Sequence, residues 1–307
     1  MIADMESVTA KLCSFSRAYH SNREKERIFD DYLAFDLMGR EEYERIGQLI
    51  EHDYDLESYN PTRDFKGDSI KETLDTYLAP IPLSRAAFAE KELKRFSEKN
   101  SKCQYVILGA GMDTFAFRND NENIEIFEVD HPDTQKYKLE KIKALEWIIP
   151  QNANYVPVDF AKDDMRVKLI EAGFDENMPT FFAFLGVTYY LSLPVFEETL
   201  EKINSLASKG SRLVFDFPDD TTLSQNAPER VRILSEITAH LGEPMKHGYS
   251  ILEIDDALDR QGFKTIVHET PDTIQKMFFE GRSDGKRAYE NIHFIVAKPI
   301  GYRRKYT

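Results

Sequence analysis

From Gln104 onward the chain alternates short apolar runs with amphipathic stretches, the runs being QYVILG, NIEIFEVD, NYVPVDF, PTFFAFLGV and SRLVFDF. Consecutive apolar positions in so short a run mark strands covered on both faces. Between them, His131 to about Ile149, Asp163 to about Ala172 and Pro194 to about Ser208 carry the helical spacing. In the last of these, Phe196, Leu200, Ile203 and Ala207 share a face. Ser192, Pro194 and Glu197 predict its start and Gly210 its stop. Strands alternating with helices imply a parallel sheet with right-handed crossovers.

After SRLVFDF the alternation pauses for helical stretches at about Pro228 to Leu241 and Ile251 to Gln261, the second closed by Gly262, and the first reads as an insertion. FKTIVHE and NIHFIVAK follow as final strands, joined by a segment containing Phe278, Phe279 and Gly281. With too little helix between them for a crossover, the last strand is expected to be antiparallel. Residues 1–100 instead read as helix and loop. Their clearest helix follows Pro80 and Pro82, with Ala86, Ala89, Leu93 and Phe96 on one face. The expected organisation is a helical N-terminal cover over 1–100 and an α/β core over 101–307, with a helical insertion at about 218–262.

A chain of 307 residues, 41% hydrophobic and 12% aromatic, carries enough apolar surface to fold around a large core. Its formal charge of -14 opposes attachment to phosphate backbones or anionic lipid, so neither nucleic acid nor membrane is an expected partner. Cys13 and Cys103 are too few for a disulfide framework and lack the paired spacing of a zinc site, so no metal is expected. The acidic start MIADMESV is unlike a signal peptide, and no apolar run reaches the roughly 18 to 20 residues of a membrane span. The expectation is a cytoplasmic protein.

In open α/β sheets ligands bind beyond the carboxyl ends of the strands. The first strand ends in LGAGMDTFAFR, where Gly109 and Gly111 permit close backbone approach to a ligand. The second ends in FEVD at Asp130, about 20 residues further on, the offset at which a carboxylate receives the hydroxyls of an adenosine ribose. The third ends in VPVDF, where Asp159 and Phe160 suit an adenine amino group and ring. A turn at the glycines and helix caps at both aspartates are the competing structural readings. A dinucleotide fingerprint needs a third glycine where this chain has Thr114, which favours an adenosine cofactor without a pyrophosphate, S-adenosylmethionine. An NAD-dependent oxidoreductase remains the alternative, as does a cofactor-binding protein without turnover.

LGAGMDTFAFR, FEVDHP, VPVDF, FFAFLGVTYYL and GSRLVFDF, together with VTAKLCSFSRAYH and IPLSRAAF upstream, resemble the leucine carboxyl methyltransferase family. The likeness is strongest to its bacterial branch, S-adenosylmethionine-dependent O-methyltransferases linked to polyketide O-methylation. It implies a class I methyltransferase (Rossmann-like) fold of seven strands with an antiparallel last strand. It also implies a donor site at Gly109, Gly111, Asp130, Asp159 and Phe160, with Arg85 on the donor carboxylate. Leu185 stands where protein-methylating members carry glutamate, which weakens inference to a protein terminus as substrate. The expected acceptor is a small-molecule carboxylate or hydroxyl. Tyr189 and Tyr190 fall where it would meet the methyl group, and Arg17 is a further candidate cation. No residue stands out as a catalytic base: His131, His240, His247 and His268 all have structural readings. The sequence leaves the acceptor and the oligomeric state open.

Overall fold

The computed structural model describes residues 8–52 and 69–300. The expectations for residues 1–7 and for 53–68 as part of the helical cover lie outside the described residues. Among the described residues the chain forms α1 (Val8–Arg23), α2 (Ala34–Met38), α3 (Arg40–His52), α4 (Ser69–Thr73), a π turn (Leu74–Leu78) and α5 (Pro80–Ser97). The α/β part follows as β1 (Cys103–Leu108), α6 (Phe115–Arg118), β2 (Ile124–Asp130), α7 (Pro132–Ala144), β3 (Ala153–Pro157), α8 (Met165–Glu171), β4 (Thr180–Phe184), α9 (Leu193–Leu206) and β5 (Arg212–Pro218). It ends with α10 (Glu229–His240), α11 (Ile251–Arg260), β6 (Phe263–Glu269), α12 (Pro271–Ile274), a second π turn (Gln275–Phe279) and β7 (Ile292–Pro299).

The seven strands lie in the order β3-β2-β1-β4-β5-β7-β6, and β7 runs antiparallel to both of its neighbours. The antiparallel last strand is the one the strand pattern predicts, and the seven-stranded order is the class I methyltransferase topology that the resemblance implies. Strand order reverses between β1 and β4, so the loops after these two strands open the crevice in which α/β sheets bind ligands.

Period-two burial explains the continuous apolar runs. Tyr105 and Ile107, Phe181 and Ala183, and Val214 face one layer with Phe15 and Phe88 of the N-terminal helices and Ile237 of α10. Val106 and Leu108, Phe182 and Phe184, and Phe215 face the other, against Leu169, Phe196, Leu200 and Leu258. Thus α11 serves as the regular covering helix before β6, whereas α10 lies on the opposite face beside the N-terminal cover.

Three local expectations need correction. β3 is an edge strand, half-exposed along most of its length, and not buried on both faces. The helix expected to reach about Ile149 closes at Ala144. There Trp147 N–H donates to Ile142 O at 3.2 Å and Glu146 N–H to Lys143 O at 3.1 Å, with Glu146 at φ 55°. That is a Schellman closure made with glutamate, so no glycine signals it. Finally, Ser192 occupies the N-cap of α9 without a side-chain capping bond, and α9 ends at Leu206, before Gly210. Gly262, with φ 73°, does close α11 as expected.

A buried histidine ties the cover together. His20 Nε2 accepts Ile28 N–H at 2.8 Å. Burial pushes its pKa down to about 4, with Lys286 and Arg282 adding to the effect. Between this value and about 6.5 the unfolded chain takes up a proton that the folded one refuses, so His20 costs stability as pH falls across that window. The loss amounts to about 3 kcal/mol when complete. Urea titrations at pH 7 and pH 4.5 should show His20→Asn losing less stability on acidification than the parent. An unchanged difference would exclude His20 as a source of acid sensitivity.

Candidate functional site

The backbone turns sharply after β1 because Gly109 and Gly111 take positive φ values of 75° and 50°, where side chains are strained. Gly109 N–H donates to Val129 O at 2.8 Å, folding the loop back over the end of β2. At that end Asp130 Oδ2 accepts Gly111 N–H at 2.5 Å and Oδ1 accepts His131 N–H at 2.6 Å. Burial pushes the Asp130 carboxyl above its ordinary range, opposed by these two donors. Thr114, the residue in place of a third glycine, is fully buried and donates to Asp31 Oδ1 at 2.5 Å. It therefore staples the loop to the N-terminal cover, a role closed to glycine.

Across the crevice, Gly186 after β4 has φ 72° and lies against the Arg85 guanidinium. A side chain at Gly186 would place its Cβ 2.5 Å from Arg85 Nη1 and 2.6 Å from Nη2. Arg85 reaches there from α5, and Nη1 lies 3.4 Å from Asp216 Oδ2 inside β5. Asp216 is wholly buried; its Oδ1 accepts Gly186 N–H at 2.7 Å and its Oδ2 accepts Tyr189 Oη–H at 2.7 Å. Burial works against the Arg85 charge, but Asp216 together with Cys13, Tyr189 and Tyr190 outweighs it and raises the guanidinium above its usual value. Asp216 was not singled out from the sequence, although a carboxylate inside the apolar run LVFDF was the available signal.

These residues border two adjoining cavities. The larger, of about 290 Å³, is floored by Gly109, Gly111 and Asp130 and walled by Arg17, Arg85 and Tyr190. Leu185 lines it too. The smaller, of about 70 Å³, shares Cys13, Arg85, Gly186 and Tyr190 with the first and runs beneath the cover. Its remaining wall is mostly apolar, with Leu12, Tyr77, Leu78, Leu234, Ile237 and Met245, and Tyr189 completes it.

Six of the nine residues singled out from the sequence therefore meet at the larger cavity: Arg17, Arg85, Gly109, Gly111, Asp130 and Tyr190. Tyr189 lies in the smaller one. Asp159 and Phe160 do not line either cavity. Asp159 Oδ1 accepts Ala161 N–H at 3.1 Å, Oδ2 pairs with Lys162 Nζ at 2.6 Å, and Phe160 is 46% exposed. Lys162 and the Ala161 N–H hold the Asp159 carboxyl below its ordinary range. Arg17 is committed elsewhere, donating to Asp31 Oδ2 and to Met112 O at 2.9 Å each.

A glycine bend, a carboxylate at the next strand end and a partly buried arginine thus surround one crevice. The model of the family described as leucine carboxyl methyltransferase matches residues 10–204. The chain belongs to the leucine carboxyl methyltransferase family. Bacillus subtilis YktD, whose name classes it among S-adenosyl-L-methionine-dependent methyltransferases, is 36% identical over 297 residues, 95% of this chain and 97% of its own. A Mycolicibacterium smegmatis protein named in the same class is 33% identical over 129 residues, 42% of this chain and 43% of its own.

Among solved structures, a DUF574 family protein from Streptomyces avermitilis superposes with a TM-score of 0.55 at 13% identity. It covers 92% of this chain and 100% of its own, a likeness of fold alone. Membership of the leucine carboxyl methyltransferase family makes the protein an S-adenosylmethionine-dependent methyltransferase, and the nicotinamide alternative falls away. Among the described residues no helix is long and apolar enough to cross a membrane.

Proposed function

We propose that this leucine carboxyl methyltransferase relative esterifies the carboxylate of a small molecule, with S-adenosylmethionine held in the larger cavity and the apolar body of the acceptor in the smaller. The donor set suits that cofactor. Asp130 offers a carboxylate to the ribose hydroxyls, Gly109 and Gly111 turn the backbone along the cavity floor at positive φ, and Arg85 offers a fork to a carboxylate. Asp159 and Phe160 enter this reading as an adenine-side loop just beyond the cavity. Bound there, the cofactor supplies an electrophilic methyl on a sulfonium; the protein aligns the partners and excludes water, and alignment alone is worth roughly 7 to 11 kcal/mol.

The observation that carries the carboxylate reading is the lining of the smaller cavity. Among the described residues its lining includes no histidine, aspartate or glutamate, and the titratable groups there are Cys13, Tyr77, Arg85, Tyr189 and Tyr190. Burial pushes Tyr190 up to about 12 and Tyr189 well above its ordinary value, so neither phenol is a base near neutrality. A carboxylate, with a pKa near 4, needs none; a phenolic acceptor, with a pKa near 10, does.

Incubation with labelled donor and matched panels of carboxylic acids, alcohols and phenols should yield methyl esters from the acids, at rates flat with pH above about 6. Labelled ethers without esters would overturn the carboxylate assignment. Separately, calorimetry should show Asp130→Ala weakening donor binding by about tenfold or more, as expected for lost hydrogen bonds to a charged group. Unchanged affinity would remove Asp130 from the donor site.

A further inference from the structure

The first π turn, Leu74–Leu78, supplies Tyr77 and Leu78 to the smaller cavity, and it is an awkward piece of backbone. Its closing bond runs from Ala79 N–H to Leu74 O at 2.9 Å. Pro80 and Pro82 follow, and having no N–H they provide no donor for the carbonyls of Thr76 and Leu78, four residues before each. Buried carbonyls of this kind need other partners.

Side chains from three distant parts of the chain approach these carbonyls and that of Tyr77 between them. Tyr289 Oη donates to Tyr77 O at 2.8 Å, Arg230 Nη1 of α10 reaches Thr76 O at 3.5 Å, and Ser16 Oγ of α1, which donates to Leu12 O at 2.8 Å, lies 3.4 Å from Leu78 O. Arg230 lies over the Tyr289 ring, 4.0 Å from its centroid, and both are buried. The Arg230 guanidinium also donates to Arg287 O at 3.2 Å, to Ala288 O and to Glu290 Oε2 at 3.2 Å.

Arg230 sits one turn before Leu234, and α10 supplies Leu234 and Ile237 to the facing wall of the same cavity. The stacked pair therefore joins two walls, the π turn and α10, that the sequence separates by about 150 residues. We propose that Arg230 and Tyr289 are positioning residues that fix the spacing of these walls and thereby select acceptors by the bulk of their apolar part. The selectivity half of this inference rests on the acceptor reading given above; the wall-spacing half rests on geometry alone.

Tyr289→Phe is the discriminating variant, because the ring remains under Arg230 while Tyr77 O loses its donor. Hydrogen exchange at Leu78 and Ala79 should accelerate by about fivefold, the scale set by one hydrogen bond. With straight-chain and branched carboxylic acids as probes, KM should fall for bulkier acids relative to smaller ones by about threefold, with kcat preserved. S-adenosylhomocysteine affinity should stay unchanged. Arg230→Lys, which keeps the charge but loses the planar fork, should reproduce the pattern.

Unchanged exchange at 78–79 overturns the proposal, as does an unchanged ranking of acids or a parallel loss of S-adenosylhomocysteine binding. If the parent methylates no acid at all, the acceptor reading fails by itself and the selectivity claim with it, and exchange still decides whether the pair holds the wall.

Discussion

Gly186→Ala is expected to weaken S-adenosylmethionine binding by about a hundredfold while the protein still folds. The added methyl would sit 2.5 to 2.7 Å from three atoms of the Arg85 guanidinium, and the residue would keep a φ of 72° that alanine tolerates poorly. The strain costs on the order of 1–3 kcal/mol. The larger consequence is local: the guanidinium is the free end of its side chain, so it moves, and the motion takes it away from both Asp216 and the cavity. Losing a paired, charge-assisted contact removes about 3 kcal/mol of binding, which is the hundredfold. Calorimetry on Gly186→Ala, Arg85→Ala and the double variant makes the test. If the effect acts through the guanidinium, the double variant binds no worse than Arg85→Ala. Near-parental affinity in Gly186→Ala would disconnect this contact from donor binding.

Asp216→Asn should produce the largest loss of stability. Asp216 is inaccessible and receives the Gly186 amide, the Tyr189 hydroxyl and the Arg85 guanidinium at once. Asparagine keeps the shape and removes the charge, leaving Arg85 facing an amide. Breaking a buried pair by removing one partner costs about 3–5 kcal/mol. Arg85 retains 16% exposure, so the lower end applies, about 3 kcal/mol. Urea denaturation measures it. Because the penalty comes from an orphaned cation, Arg85→Met in the Asp216→Asn background should restore part of the stability, and no restoration would show that the loss lies in the Gly186 and Tyr189 bonds instead.

Much of the fold was legible in the sequence because buried parallel strands write themselves as unbroken apolar runs, as QYVILG and TFFAF do. Edge strands do not follow that rule, and β3 passed for a central strand because Val156 and Val158 are buried while their neighbours are not. The end of α7 was hidden for a different reason: a Schellman closure is a property of hydrogen bonds, and with Glu146 at the left-handed position no residue type announces it.

In the crevice, the glycine bend and Asp130 were readable because their spacing follows from one strand–helix–strand unit. Asp216 was not, since its significance lies in an arginine 131 residues away. Asp159 lies outside both cavities. Its place at a strand end was legible, whereas the partners of its carboxylate, the Ala161 amide and Lys162, became visible only in the structure.

The two cavities have different ancestries within the chain. The larger is floored by strand termini that the sheet itself holds in place, whereas the smaller is lined from α1, the π turn, α5 and α10, which pack together through side chains. If the proposed assignment of donor to the larger cavity and acceptor to the smaller holds, substitutions in the side chains that join α1, the π turn and α10 should change acceptor choice while leaving donor affinity intact.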